Sequence, residues 1–285
     1  MSGHTVSGAT RFRCRGFAWL VATCLLAGLP RAQAGQGPGL SPQTYQQLTA
    51  IHELIDAGKT GPALARLGEL LKSVGQRSYE RAVVLQNLGH VQASRGEYGA
   101  ATRSLEESLS LKALPETTVQ QMRYNLAQLY LASEEPARAI TVLEAWFGQA
   151  DSPPASAWLL LGHTHAELGN YRKAIPAMKR AIKLSDSPTA DWYENLLAMH
   201  YELHEFRDCA ALLERMIRLF PDRDDYWRQL SGIRMTLNQP AQALAVMELM
   251  MRSGRLTREP ELIQLARLYL YQEIPYKAAR LLEDA

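Results

Sequence analysis

The sequence has few cysteines and almost no excess of charge of either sign. Only Cys14, Cys24 and Cys209 occur among its 285 residues, which is too few for a disulfide framework. The 31 basic and 29 acidic residues leave a net charge of +2, so the chain lacks the basic excess that drives nucleic-acid binding. With 47% hydrophobic residues, the composition is that of a folded protein and excludes a disordered chain.

Long hydrophobic runs are also scarce, and the most prominent one lies near the N-terminus. Arginines at positions 11, 13 and 15 precede the largely apolar segment 17–29, and Ala-Gln-Ala follows at 32–34. This order of charge, apolar segment and small residues predicts a cleavable signal peptide over residues 1–34. An uncleaved membrane anchor is the alternative, but the apolar segment is shorter than the roughly 20 residues of a spanning helix.

Export of the mature chain follows from this prediction. Residues 35–43 begin with Gly-Gln-Gly-Pro-Gly and predict a linker. Cleavage removes four arginines and no acidic residue, which lowers the net charge from +2 to −2. The arginine-bearing leader fits a bacterial periplasm, and we expect no stable membrane insertion after cleavage. Cys209 is then the only thiol, and we expect it to be buried as a small apolar residue; a bridge between chains is the alternative.

One pattern of apolar and small residues recurs along the rest of the chain, and from residue 155 onwards its copies start 35, 34 and 35 residues apart. The clearest copy contains Trp158, Leu161, Gly162, His165, Gly169, Tyr171, Ala174, Met178 and Ala181. The offsets alternate between three and four, which predicts two helices with Gly169 at the turn between them. The predicted repeats are 44–77, 82–115, 120–153, 155–188, 190–223, 224–257 and 259–285.

These copies resemble the tetratricopeptide repeat, a unit of two antiparallel helices. The resemblance covers residues 44–285 and implies an all-α helix-pair solenoid, a right-handed superhelix of about seven repeats. Pro221 predicts a helix end, and Pro240 and Pro275 predict the starts of second helices. An irregular all-α bundle is the alternative, but it would not require a fixed spacing. One slot of the second helix, where backbones approach closely, holds Ala63, Ala101, Ala139, Ala174, Cys209, Ala243 and Ala278.

The histidines are the main candidates for a metal or catalytic site, and their spacing argues against one. His163 and His165 are two residues apart, so on a helix they point about 200° from each other. His200 and His204 lie one turn apart, but the position of Glu202 between them does not match the zinc-protease motif. The pattern instead assigns His165 and His200 to a buried aromatic slot and His204 to the turn. We therefore expect no enzymatic activity, no metal and no cofactor.

The inner face of the predicted solenoid is the candidate binding site. The first helix of each repeat is expected to line the concave side, with template positions five, nine and twelve facing it. These positions mix aromatic, amide, imidazole and aliphatic groups, which suits an extended peptide or a helix of a protein partner. They lack the Lys-Asn-Asn-Lys set with which clamp-type members of the family hold a C-terminal carboxylate. The expected groove residues are His52, Gln86, His90, Tyr124, Gln128, Leu159, His163, Glu194, Tyr201, Arg228, Met235 and Arg267.

The C-terminal repeats carry a further resemblance. Their segments are similar to exported tetratricopeptide proteins associated with the TonB, ExbB and ExbD energy-transducing systems of proteobacteria: residues 220–232, 237–245, 256–262 and 268–279. This resemblance implies a periplasmic accessory that helps to couple inner-membrane energy to outer-membrane import. We therefore expect a non-catalytic periplasmic scaffold that binds protein segments in its groove. An envelope-assembly or peptidoglycan-machinery adaptor and a substrate-positioning subunit of an enzyme complex are the alternatives.

Overall fold

The computed structural model describes residues 39–283, which form helices joined by short connections. In that range fourteen helices follow one another as seven pairs and no strand occurs, which confirms the all-α helix-pair prediction. The predicted signal peptide and residues 35–38 of the predicted linker lie outside the described residues. No helix between residues 39 and 283 is long and apolar enough to cross a membrane. The chain divides into two compact units, unit 1 ending at Pro153 and unit 2 beginning at Pro154.

Unit 1 contains three helix pairs, and each helix contacts the next one along the chain. Its helices α3 and α5 begin four residues before the repeat starts predicted at 82 and 120. The additional turn of α3 carries Glu80, whose carboxylate accepts a hydrogen bond from the Ser41 N–H at 2.7 Å. The six helices are α1 (Pro42–Asp56), α2 (Thr60–Val74), α3 (Ser78–Ser94), α4 (Tyr98–Ser110), α5 (Glu116–Ala132) and α6 (Pro136–Phe147).

Unit 2 contains four helix pairs in which consecutive helices again contact each other. The first helix of every pair has 13 residues and begins at the predicted repeat start. The eight helices are α7 (Ala155–Glu167), α8 (Tyr171–Leu184), α9 (Ala190–Glu202), α10 (Phe206–Leu219), α11 (Asp224–Thr236), α12 (Pro240–Arg252), α13 (Glu259–Tyr271) and α14 (Pro275–Glu283).

All seven pairs turn from their first to their second helix through one residue with positive φ. Glycine occupies this position in three pairs because it lacks the Cβ that makes a left-handed backbone unfavourable. The backbone N–H of the residue that follows closes the turn. After Gly169, for example, the Asn170 N–H donates to the His165 carbonyl at 2.8 Å. Gly169 and His204 thus lie in turns, as predicted. The seven residues are Gly58, Gly96, Glu134, Gly169, His204, Asn238 and Glu273.

Small residues allow the two helices of a pair to approach each other closely. The second-helix slot is buried in every pair, as predicted, and its members are 0–3% exposed. The first helix contributes glycine in two pairs. A Cβ added at Gly162 would lie 2.7 Å from the Met178 sulfur, and one at Gly89 would lie 2.7 Å from Leu105. Substitution by a larger side chain at either glycine would therefore push the helices apart.

Cys209 occupies the small-residue slot of the fifth pair and is fully buried, which confirms the packing interpretation. Burial raises the pKa of its thiol to about 11, because a thiolate would lose its solvation there. The prolines also lie where the sequence predicted them. Helix α10 ends before Pro221, while Pro240 and Pro275 open α12 and α14. At a helix start the missing N–H removes no hydrogen bond.

A glutamate on the second helix of one pair binds the first helix of the next pair. The Tyr269 hydroxyl donates to Glu248 Oε1 at 2.9 Å, and Lys277 Nζ donates to the same oxygen at 2.9 Å. The Lys277 ammonium also lies 5.4 Å from the Tyr269 ring centroid. These contacts connect the sixth pair to the seventh in addition to their apolar contact. The equivalent bonds elsewhere join Glu106 to Tyr130 and Arg138, and Glu214 to Arg234.

Candidate binding face

The twelve predicted groove residues all lie on first helices, but their exposure differs widely. Three of them are buried: Gln86, Gln128 and Leu159. Six are half-buried: His52, His90, Tyr124, His163, Glu194 and Arg228. Tyr201, Met235 and Arg267 are exposed, and all three belong to unit 2. The two units therefore present chemically different first-helix faces.

In unit 1, a histidine and an asparagine connect successive first helices. His52 Nε2 lies 2.8 Å from Asn87 Oδ1, while Asn87 Nδ2 donates to the Val83 carbonyl at 2.8 Å. Because the asparagine oxygen can only accept, the His52 nitrogen carries the proton and donates it. Asn87 was not among the predicted groove residues. The sequence feature that could have identified it is the recurrence of asparagine at template position six, at Asn87, Asn125 and Asn195.

His90 occupies the position of His52 in the next pair. Its Nε2 atom is buried and has no hydrogen-bond partner among the described residues. Burial lowers the pKa of His90, so its ring is neutral near pH 7. The equivalent asparagine of the following pair, Asn125, accepts instead from Gln121 Nε2 at 3.0 Å. The centre of this face in unit 1 therefore holds a neutral, polar ring among amides.

Tyr124 belongs to an aromatic cluster in unit 1. Its ring centroid lies 5.2 Å from that of Trp146, which in turn lies 5.2 Å from Phe147 in an edge-to-face arrangement. Such contacts stabilise a fold by about 0.5 to 1.5 kcal/mol each beyond the area that they bury. Tyr124 thus contributes to packing between α5 and α6 as well as to the face. Removal of its ring would change both stability and the binding surface.

In unit 2, the histidine–asparagine link recurs between α7 and α9. Asn195 Nδ2 lies 3.3 Å from His163 Nε2. Burial lowers the pKa of His163 to about 4, so this imidazole is neutral near pH 7 and its Nε2 can accept the amide hydrogen. His165 and His200 are buried, as predicted for the aromatic slot.

The charged groove residues Glu194 and Arg228 form hydrogen bonds and ion pairs with the following helix pair. Glu194 Oε1 accepts from Arg223 at 2.7 Å and from the Tyr226 hydroxyl at 2.5 Å. Arg228 donates to Glu261 at 2.8 Å. The bonds from Tyr226 to Glu194 and from Arg228 to Glu261 both join position five of one first helix to position three of the next. These side chains hold neighbouring pairs together, and their charges are balanced within the chain.

The exposed part of the unit 2 face is an apolar strip made of Tyr201, Met235 and Leu270. These residues take position twelve of α9, α11 and α13, and 37–56% of each is exposed. Arg267 precedes Leu270 by one turn and forms no ion pair with any residue that the structure describes. A mixed aromatic and aliphatic strip beside an unbalanced cation is a surface that a protein segment can cover.

His200 also belongs to a group with two acids. Its Nδ1 atom lies 2.6 Å from Glu205 Oε2, and Asp208 brings a third donor atom within 4.8 Å of the other two. Glu205 and Asp208 lie at the start of α10, where the helix dipole stabilises negative charge. Sequence reasoning considered His200 with His204, because a spacing of four residues suits one helical face, and missed Glu205 across the turn. The hydrogen bond explains how a buried histidine is satisfied.

Comparison with known proteins agrees with this architecture. Residues 124–194 match the family model described as Tetratricopeptide repeat. A tetratricopeptide repeat protein from Parabacteroides merdae is 15% identical, with a TM-score of 0.53 over 86% of this chain and 92% of that one. MamA from Desulfovibrio magneticus RS-1 is 20% identical, with a TM-score of 0.54 over 65% of this chain and 99% of that one. No curated protein matches the chain in sequence. The chain is thus a helix-pair repeat protein with the tetratricopeptide-repeat fold.

Proposed function

We propose that this protein is a non-catalytic scaffold that binds segments of other proteins on its first-helix faces. The observation that carries the proposal is the apolar strip of Tyr201, Met235 and Leu270, whose side chains are 37–56% exposed on three successive first helices. Exposed apolar side chains aligned on successive helices favour association with a partner. The faces around the strip offer amides and imidazoles as hydrogen-bonding groups, and the protein-binding role common to this fold supports the same function.

Site-specific photocrosslinking tests this proposal. A photoreactive amino acid replaces Met235 on the strip, and in a matched control it replaces Leu249, which is exposed on the second helix of the same pair. We expect discrete crosslinked protein species from position 235 in living cells and none from position 249. Equal crosslinking from both positions, or crosslinking only from position 249, would contradict binding on this face.

We further propose that the protein works in the bacterial periplasm after removal of residues 1–34. The charge and hydropathy pattern of the leader supports this location. N-terminal sequencing of the protein from a periplasmic fraction should begin at Gly35. Replacing Leu25 and Leu26 by arginine interrupts the apolar segment, and we expect this variant to stay in the cytoplasm. A variant that is exported normally would rule out the leader as the export signal.

The proposed partners are components of a TonB-type transport system, on the basis of the resemblance of residues 220–279. Crosslinked species from position 235 should then contain TonB, ExbB or ExbD proteins or the receptors that they serve. Peptidoglycan-synthesis proteins in these species would favour the envelope-adaptor alternative instead. A hydrolase or transferase would favour a role as the substrate-positioning subunit of an enzyme complex.

A further inference from the structure

We propose that the exposed faces of the second helices α8 and α10 bind the surface of a lipid bilayer that contains anionic lipids. This inference goes beyond the proposed function, because it concerns a different surface and a different class of partner. Its basis is a concentration of positive charge on these two helices, the lack of ion pairs for that charge among residues 39–283, and two exposed leucines beside it.

Every charged side chain of α8 is basic. The helix carries five exposed cations and no acid, and its other exposed residues are Pro176 and Leu184. Successive residues of an α-helix are about 100° apart, so the five cations lie within about 120° of one another around the axis. They therefore form one basic band along the helix: Arg172, Lys173, Lys179, Arg180 and Lys183.

Helix α10 repeats much of this pattern. Positions 18, 26 and 29 of the repeat are basic and exposed in both helices, and position 30 is an exposed leucine in both. Both helices contact α9 and bury their apolar residues in one core cluster of unit 2. We call the exposed residues of α8 and α10 the basic face. Its members in α10 are Arg207, Asp208, Ala211, Arg215, Arg218 and Leu219.

The charge of the basic face contrasts with that of the rest of the chain. Helices α8 and α10 together contain eight basic and two acidic residues, which is a net charge of +6, whereas the whole chain carries +2. The remaining residues are therefore net negative. This asymmetry orients the protein towards an anionic surface, since the potential of a surface follows the local charge and not the total.

The cations of the basic face lack acidic partners among the described residues. Elsewhere, arginines form ion pairs within or between helix pairs, as Arg255 does with Asp224 at 2.7 Å. None of the eight cations of α8 and α10 forms an ion pair with a residue between 39 and 283. Lys179 and Lys183 are one helical turn apart, a spacing at which like charges repel. An anionic partner would relieve this repulsion.

The composition of the basic face favours lipid over a protein segment. None of its exposed side chains is aromatic or carries an amide or hydroxyl group, and lysine is depleted in protein interfaces. Leu184 and Leu219 are 42% and 47% exposed. Apolar side chains beside cations are typical of surfaces that lie in the headgroup region of a bilayer. Each cation near such a surface strengthens binding about fivefold.

Co-sedimentation with lipid vesicles tests the inference on the chain from Gly35 onwards. This chain contains all seven helix pairs, which pack against one another, and lacks the apolar segment 17–29, which would itself bind lipid. The probes are vesicles of equal parts phosphatidylcholine and phosphatidylglycerol, and vesicles of phosphatidylcholine alone. We expect at least about tenfold tighter binding to the mixed vesicles, and weaker binding as the salt concentration rises.

Two double variants of equal net charge assign this binding to the basic face. Arg180→Gln with Lys183→Gln removes two cations from α8 and should weaken binding to the mixed vesicles at least about tenfold. Arg66→Gln with Lys72→Gln removes two exposed cations from α2 and should leave binding unchanged. Circular dichroism establishes that both variants are folded. Equal effects of the two variants would overturn the inference.

A fluorophore at position 184 distinguishes a bilayer from other polyanions. The variant Leu184→Cys is labelled with a dye whose emission shifts to the blue in an apolar environment, while Cys209 is fully buried and stays unlabelled. We expect a blue shift with the mixed vesicles and none with poly-glutamate or duplex DNA. The labelled control Tyr45→Cys, at an exposed position on α1, should show no shift with any probe.

The outcomes separate this inference from the proposed function. Equal binding to both kinds of vesicle, or no blue shift at position 184 with the mixed vesicles, would overturn the bilayer as the partner. Tighter binding to poly-glutamate or to DNA than to the mixed vesicles would also overturn it, in favour of an acidic protein or a nucleic acid. The crosslinks from position 235 test the scaffold function independently of all these results.

Discussion

The Tyr269 hydroxyl and the Glu248 carboxylate lie 2.9 Å apart and connect the last two helix pairs. Replacing Tyr269 by Phe deletes this bond and keeps the ring in place. Glu248 retains Lys277, so we expect the free energy of unfolding to fall by about 1 kcal/mol. Urea denaturation followed by circular dichroism measures the change. Tyr276→Phe, at an exposed position on α14, is the control and should have no effect. Equal stabilities of both variants would show that the bond contributes nothing.

His163 makes stability depend on pH. Burial lowers its pKa from 6.5 to about 4 in the folded chain, so between these values the unfolded chain binds a proton that the folded chain does not. The stabilisation is therefore complete above pH 6.5 and declines as the pH falls towards 4. His163→Gln should reduce this decline, since glutamine does not titrate. His204→Gln, at an exposed turn, should leave it unchanged, and stability profiles from chemical denaturation compare the three proteins. An unaltered profile for His163→Gln would contradict this cause.

The turns offer a way to raise stability. Glu134 has a φ of 59°, a value that costs most residues about 1 to 2 kcal/mol. Glu134→Gly removes this strain but adds freedom to the unfolded chain, and we expect a net gain of about 0.5 to 1 kcal/mol. Gly169→Ala, at a φ of 70°, should lose about 1 to 2 kcal/mol. Thermal unfolding of the two variants should shift in opposite directions, and a shift in the same direction would refute the explanation.

Two helical glycines should respond in opposite ways to the same substitution. A Cβ at Gly162 would meet Met178, whereas one at Gly232 would meet nothing within 4 Å. We expect Gly162→Ala to destabilise the fold by about 1 to 3 kcal/mol through overpacking. Gly232→Ala should stabilise it by about 0.5 to 1 kcal/mol, because alanine favours the helix. Denaturation midpoints test both values, and a loss of stability at position 232 would show that its surroundings were misjudged.

The architecture was predictable from the sequence because each repeat carries its own signal. Helix starts, turn residues and the small-residue slot are local properties, and they recur seven times at nearly constant spacing. Even Cys209 could be assigned to packing, since alanine occupies its slot in the other pairs. The earlier starts of α3 and α5 were missed because the extra turn is largely polar and does not alter the apolar pattern.

The chemistry of the candidate face was less predictable, because it depends on contacts between repeats. A template for one repeat places Glu194 and Arg228 on the inner face but does not reveal that the next pair neutralises both. Gln86 and Gln128 likewise have the composition of a binding surface and are buried. A comparison of neighbouring copies, position by position, would have found the glutamate that recurs at Glu106, Glu214 and Glu248 opposite Tyr130, Arg234 and Tyr269.

An ion pair between the fifth and sixth helix pairs makes their contact sensitive to salt. Arg223 and Glu194 are both partly exposed, so dissolved ions screen their attraction, whereas the apolar contacts inside each helix pair are unaffected. Higher ionic strength therefore weakens the contact between these helix pairs and leaves the contacts within each pair unchanged. The rigidity of this face therefore depends on the salt concentration. A ligand that contacts several helix pairs binds a more rigid surface at low salt than at high salt.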